Sequence, residues 1–390
     1  MASTPNPEKP SGPQGRSPDA ARRGRMPNRF LLDPRANNFD FLRLMFAVLV
    51  IYSHSFTLGL GSQSTDYFAA LTRGQMSGGN LAVGGFFIIS GFLVTSSIMR
   101  STSVWSYLRK RILRVYPGFI LLTVLTIAIV IPLSSGHLAG EHIETQVALA
   151  VWKTVSLSDL KYSGAFSSNP FPGVINGSLW TIRFEFLCYI GLAVLSICGV
   201  LRRRRLCLAL FALWLIVGFG IAVFHPTIRQ YGYGHDARAN DWDFVIRLVP
   251  AYLAGVVGYL YVDKLLITKS RIAGAVALLT AAVFIPHGML IAMPLAVAYL
   301  ILCFARSNSV RLHEFGKYGD FSYGTYLYAF PIQQLVMSEF RRPVSWEVLF
   351  VISTPLAIIA AAVSWHLVEK HFLFRSRVVR RHWPVMQERP

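Results

Sequence analysis

Two ionisable side chains stand in an apolar run near the start of the chain, "FDFLRLMFAVLVIYSHSFTLGLG", from Phe39 to Gly61. They are Arg43 and His54, eleven residues apart. A helix rises about 1.5 Å and turns about 100° per residue, so eleven residues make close to three turns. Both side chains then share one face, roughly 16 Å apart along the axis. An imidazole serves as general base or nucleophile near neutral pH, and a guanidinium grips carboxylates and phosphates. A second apolar run, "NGSLWTIRFEFLCY", carries Glu185. An isolated carboxylate in lipid is costly, so Glu185 should face the protein and find a partner. Counted inward from the same membrane surface, His54 and Glu185 lie at similar depth. The expectation is a pair in which Glu185 orients the imidazole of His54 for base catalysis. A polar lock between two helices is the non-catalytic alternative.

A third stretch, "YLRKRILRVYP", holds Arg109, Lys110, Arg111 and Arg114. Arg111 and Arg114 are three apart and share a helix face. By themselves such residues set membrane topology and meet anionic lipid. Together with Arg43 they form a candidate phosphate clamp. Arg183 and Arg247 fall toward helix ends, where snorkelling to the headgroups accounts for them. Trp180, Arg183 and Tyr326 are the further candidates for substrate contact.

The elements that must carry these groups are membrane helices. Of 390 residues 53% are hydrophobic and only 15% charged, which excludes an ordinary soluble domain. A span needs roughly 20 mostly apolar residues, and lipid leaves the backbone no hydrogen-bond partner outside the helix. The pattern predicts an all-α polytopic protein with about ten spans, at 40–60, 80–98, 113–133, 178–199, 206–224, 242–262, 271–287, 288–305, 321–339 and 347–368. The seventh and eighth form a tight hairpin at "PHGM". With ten spans every basic cluster falls on one side, as does the basic N-terminal stretch, so both termini are expected in the cytoplasm. That accounts for much of the net charge of +19, and nucleic-acid binding is not expected. Residues 1–36 read as a disordered basic tail, 37–370 as the transmembrane domain and 371–390 as a second basic tail. The loops 134–177 and 225–241, rich in Gly, Asn, Tyr and Trp, are candidates for glycan contact. The four cysteines show no metal-ligand spacing and read as small buried apolar residues.

Six stretches in order, Arg43 with His54, "GGFFIISGFLVTSS", "RKRILRVYP", "GSLWTIRFEFLCY", "GDFSYGTYLYAFPIQQ" and "SWHLVEKHF", resemble the membrane acyltransferase-3 family over about residues 37–375. The family O-acylates sugars of lipopolysaccharide, exopolysaccharide and Nod factors. The resemblance implies that His54 is the essential histidine, with Arg43 its basic partner. It implies that Arg111 and Arg114 are the cytoplasmic Arg-x-x-Arg pair, and that Glu185 is the glutamate of the fourth span. It implies acyl-CoA, usually acetyl-CoA, as donor co-substrate with no permanently bound cofactor. It further implies a lipid-linked saccharide acceptor and a location in the bacterial inner membrane. Many members carry a histidine where this chain has Ala329, so no role is assigned there. No hydrolase-like domain is expected after the last span. On this reading the donor's phosphates sit at the arginines, its arm reaches toward His54, and the acceptor hydroxyl arrives from outside. His54 acts as general base or takes the acyl group transiently. The rival class is a transporter or flippase for a lipid-linked glycan, against which unbroken helices and the basic clamp argue.

Overall fold

The computed structural model describes residues 37–60, 66–134, 143–158, 164–224, 244–307, 310, 312, 314–340 and 344–373. The two expected tails and the loop 225–241 lie outside them, apart from residues 371–373. Among the described residues every regular element is helical. In order these are α1 (Phe39–Leu60), the short α2 (Tyr67–Leu71), α3 (Gly78–Met99), α4 (Val104–Leu125), α5 (Ile143–Val155), α6 (Trp180–Ile197) and α7 (Arg204–Phe224). There follow α8 (Val249–Leu260), α9 (Lys269–Ala282), α10 (Gly288–Ala305), α11 (Ser322–Glu339) and α12 (Trp346–Ser364). A helix occurs at each of the ten places expected. Seven of these, α1, α3, α4, α6, α7, α10 and α12, are long and apolar enough to cross a bilayer. The helices α8 and α9 are shorter, and α11 carries three tyrosines, two glutamines and Pro331.

The long helices are continuous but not α throughout. Wide π turns occur at Thr126–Val130, Phe244–Leu248, Met293–Val297 and Trp365–Glu369. Each extends or interrupts a predicted span, and such turns often re-aim a side chain at a functional site.

The bundle is built around α1, which packs on α3, α11 and α12, while α3 packs most extensively on α8. The α3–α8 contact is nearly backbone on backbone. A Cβ at Gly91 would overlap the Tyr252 carbonyl oxygen, and one at Gly255 would overlap that of Ile88. Only glycine permits that approach, and it holds α3 in place with the neighbouring Ser90 turned the other way, toward α6. Cys188, Cys207 and Cys303 are buried as expected, whereas Cys198 is exposed at the end of α6; all four are free thiols.

One segment departs from the sequence reading in a way that decides the site. The described residues within 134–177 are not a simple surface loop. The helix α5 lies along α4, where the Thr154 hydroxyl meets that of Thr123 and the Tyr116 hydroxyl donates to the Val155 carbonyl at the end of α5 (2.9 Å). The chain then returns, and residues 169–178 run beside the second half of α11 as irregular backbone. Asn176 donates to the Leu327 carbonyl (2.9 Å), and Gln334 donates to the carbonyls of Phe171 and Val174 (2.8 Å each). Asn169 bonds both the Gln334 carbonyl and its amide oxygen. Non-helical backbone at membrane depth survives only where protein groups satisfy it, and these amides do so. As a consequence α6 begins well inside the bundle rather than at its surface.

Candidate active site

A cavity of about 100 Å³ lies among α1, α3, α4, α6 and α11. Arg43, Arg111 and Arg114 line it together with Glu185, Ser90 and Tyr189. Phe86, Val83, Thr181 and Tyr326 form its other end. Four helices therefore bring together five of the expected residues, namely Arg43, Arg111, Arg114, Glu185 and Tyr326.

The arginines are not equivalent. Asp320, in the turn ahead of α11, pairs through Oδ2 with Arg43 and with Arg114 (2.6 Å). Its Oδ1 caps α11, accepting from the Ser322 amide (3.3 Å) and hydroxyl (2.5 Å). Burial works against ionisation of Asp320, yet Arg114 and Arg43 outweigh it and hold the carboxyl well below the usual carboxylate range. Arg114 also faces Glu369 (3.6 Å), which the π turn of α12 places there and to which the Ser364 hydroxyl donates (2.8 Å). Among the described residues no carboxylate pairs with Arg111. Its guanidinium lies over the Tyr189 ring, 5.8 Å from the centroid, and its Nε is buried without a partner. Of the three cations, Arg111 is thus the one left open to an incoming anion.

Asp320 and Glu369 were not singled out from the sequence, although both stand in the stretches that resemble the acyltransferase-3 family. The signal was available in charge balance. Three arginines facing a bundle interior call for counter-charges, and carboxylates at the same end of other helices are the candidates.

Glu185 does not pair with His54. Its Oε1 accepts from the Ser90 hydroxyl (2.8 Å) and the Tyr189 hydroxyl (2.6 Å), and its Oε2 makes no hydrogen bond. The acid faces the arginine cavity. His54 instead packs edge-to-face on Phe330 of α11, with ring centroids 5.2 Å apart and a buried Nδ1 that has no protein partner. No hydrogen bond or ion pair joins the two residues. The reason is the buried segment before α6. Gly177 abuts Phe330 and so shares the level of His54, whereas Glu185 lies more than a turn of α6 deeper. The equal-depth estimate took α6 to start at the membrane surface.

His54 lies just past the closed end of the cavity. Tyr326, at that end, and Phe330, against the imidazole, are four residues apart on α11, or ~6 Å of helix. The Tyr326 hydroxyl donates to the Ser178 carbonyl (2.9 Å) and lies 2.6 Å from that of Thr181. Two more buried polar atoms near His54 lack partners, the Gln333 Oε1 and the Ser178 hydroxyl. The amide of that same glutamine donates to the Ile51 carbonyl and the Ser55 hydroxyl, which flank His54 on α1. The arrangement offers a hydroxyl-bearing ligand a base and two unfilled hydrogen-bond positions.

Trp180 is half-buried against Phe184 (5.8 Å between centroids), and Arg183 is exposed with its guanidinium beside Phe184. Neither lines the cavity. Arg247 bonds Asn80 (2.9 Å) beside a separate, smaller hollow. Ala329 is fully buried against Ile51 and Ala357.

An acyltransferase-domain family model (the acyltransferase-3 type) matches residues 37–366. The O-acetyl transferase of Shigella phage Sf6 is 26% identical over 363 residues, covering 88% of this chain and 97% of the relative. Nodulation protein 10 of Rhizobium leguminosarum bv. viciae is 26% identical over 368 residues, covering 90% and 96%. No solved structure gives a significant match.

Proposed function

The chain belongs to the acyltransferase-3 family, and on that premise we propose that it carries an acyl group, most simply acetyl, from cytoplasmic acyl-CoA to a hydroxyl of a glycan on the far side of the membrane. The observation that supports this is the cavity, which is cationic at one end and closes about one helical turn short of a buried imidazole with a free nitrogen.

The donor's phosphates bind at Arg111 first, with Arg43 and Arg114 beside it. Its arm lies in the cavity, where the free Oε2 of Glu185 accepts a hydrogen bond from an arm amide N–H. Glu185 is therefore a donor-binding group in this proposal, not the partner of His54. The thioester reaches the level of His54 past Tyr326 and Phe86. The acceptor hydroxyl enters from the opposite end, beside the Gln333 and Ser178 oxygens. His54 removes the hydroxyl proton as the oxygen attacks the thioester carbonyl. The new C–O bond forms, the C–S bond breaks, and the proton passes from the imidazolium to the departing thiolate. Positive loops place both termini in the cytoplasm, the protein sits in a bacterial inner membrane, and the acceptor is a lipid-linked saccharide of the O-antigen or exopolysaccharide type.

Mass analysis of surface polysaccharide from cells with and without the protein tests the reaction. Acyl groups present only with the wild-type protein support it, and identical polysaccharides oppose it. Purified protein that releases free CoA from acetyl-CoA on addition of acceptor separates an enzyme from a transporter. A labelled acetyl group trapped on His54 would replace direct transfer by a two-step route.

A further inference from the structure

We infer that Asp320 is an internal stand-in for a donor phosphate, occupying Arg43 and Arg114 until the donor displaces it; this rests on the donor site proposed above. Arg43 on α1 and Arg114 on α4 belong to different helices, and the oxygen that joins them is the single Oδ2 of Asp320. Within ion-pair distance Arg43 has no other carboxylate among the described residues, Asp40 and Glu185 acting on it only from farther off, and Arg114 keeps Glu369 when Asp320 leaves. Arg43 and Arg114 line the cavity, and the side chains of Arg43, Arg114 and Asp320 remain 21%, 13% and 18% exposed. The geometry of the bridge mirrors what a phosphate oxygen would do, one acceptor taking an N–H from each of two guanidiniums.

The arrangement answers an electrostatic problem of the empty protein. Arginines facing a low-dielectric interior without counter-charge repel one another and are expensive to keep there. Asp320 bridges two of them and offsets one of their charges while leaving Arg111 open. It is anchored on its other oxygen by Ser322, so its charge need not travel far when displaced. Entry then proceeds as an exchange. A phosphate lands on Arg111, and its neighbouring oxygens take Arg43 and Arg114 from Asp320. A weak or singly charged anion cannot pay that exchange, so the carboxylate also acts as a specificity filter against small anions.

The test is equilibrium binding of CoA to the purified full chain in detergent, comparing wild type with Asp320→Asn. Removing the competing charge should tighten CoA binding by about ten-fold, the scale of one charge-assisted contact. The variant should also melt lower than wild type without CoA and regain most of the difference at saturating CoA. Equal or weaker binding by Asp320→Asn would overturn the inference while leaving the donor site intact. Binding by neither protein would overturn the donor site itself. Should Asp320→Asn fail to fold, Arg43→Gln is compared with Arg43→Gln/Asp320→Asn, which leaves one fewer unpaired cation than Asp320→Asn alone. The double variant must then bind CoA more tightly than Arg43→Gln alone, and equal or weaker binding refutes the exchange.

Discussion

Arg111 and Arg114 look interchangeable in sequence, one helical turn apart in "RKRILR", yet their replacement should give opposite phenotypes. Arg111 has no carboxylate partner among the described residues, faces the cavity and rests on the Tyr189 ring. Its replacement by alanine removes a contact made only with ligand. One charge-assisted hydrogen bond is worth about 1.5–3 kcal/mol, so the KM for acetyl-CoA should rise about ten- to a hundred-fold. Both kcat and melting temperature should stay close to wild type. Arg114 is bonded to Asp320 and faces Glu369, whose side chain is only 3% exposed. Arg114→Ala strands both carboxylates. Breaking a buried pair costs about 3–5 kcal/mol, and the lower end applies because the Asp320 side chain is partly exposed. For Arg114→Ala the dominant effect should be lost thermal stability and yield. Donor titrations of initial rate, with melting curves of the same detergent preparations, measure both. A stable Arg114→Ala protein, or an Arg111→Ala protein with unchanged KM, would refute the assignment of partners.

Other outcomes follow from particular contacts. Tyr326 closes the cavity below His54, so Tyr326→Ala should admit longer acyl groups and raise the octanoyl-to-acetyl rate ratio about ten-fold or more, since each buried methylene is worth about 0.8 kcal/mol. Tyr326→Phe keeps the wall and should leave the ratio unchanged, which a panel of acyl-CoA donors would show. Gly91→Ala drives a methyl into the Tyr252 carbonyl and should destabilise by about 1–3 kcal/mol or more, whereas Gly191→Ala on α6 meets nothing within 4 Å and should be neutral or stabilising in melting experiments. The carboxyl of Asp320 is held below its unfolded value of about 3.9, so its contribution is complete above that value and is lost only as pH falls through the depressed one. CoA binding followed from about pH 5 to about pH 8 should show no step from this residue.

Much of this was legible in the residues. Arg43 and His54 stand at opposite levels of α1 as an eleven-residue spacing requires, with Arg43 at the cavity's cationic end and His54 past its closed one. Arg111 and Arg114 both reach the cavity, as their spacing on one helix face demands. The partner of Glu185 was not legible, because depth was counted from a surface that α6 does not reach. Asn169, Asn176 and Gln334 make it possible for irregular backbone to precede α6 inside the bundle, and side-chain amides leave no periodic trace. Asp320 lay hidden for a related reason. It is more than two hundred residues from both arginines it joins, and only packing of α11 against α1 and α4 reveals the pair. Glu369 depends on a π turn, which shifts its direction from that of a regular helix.

The central claim is that one cavity delivers the donor to His54 without His54 holding it. Its most direct test measures CoA affinity and acyl transfer together on purified His54→Ala protein. Binding within about two-fold of wild type with transfer abolished is the predicted result. Transfer that persists, or CoA binding lost along with the imidazole, would contradict the account.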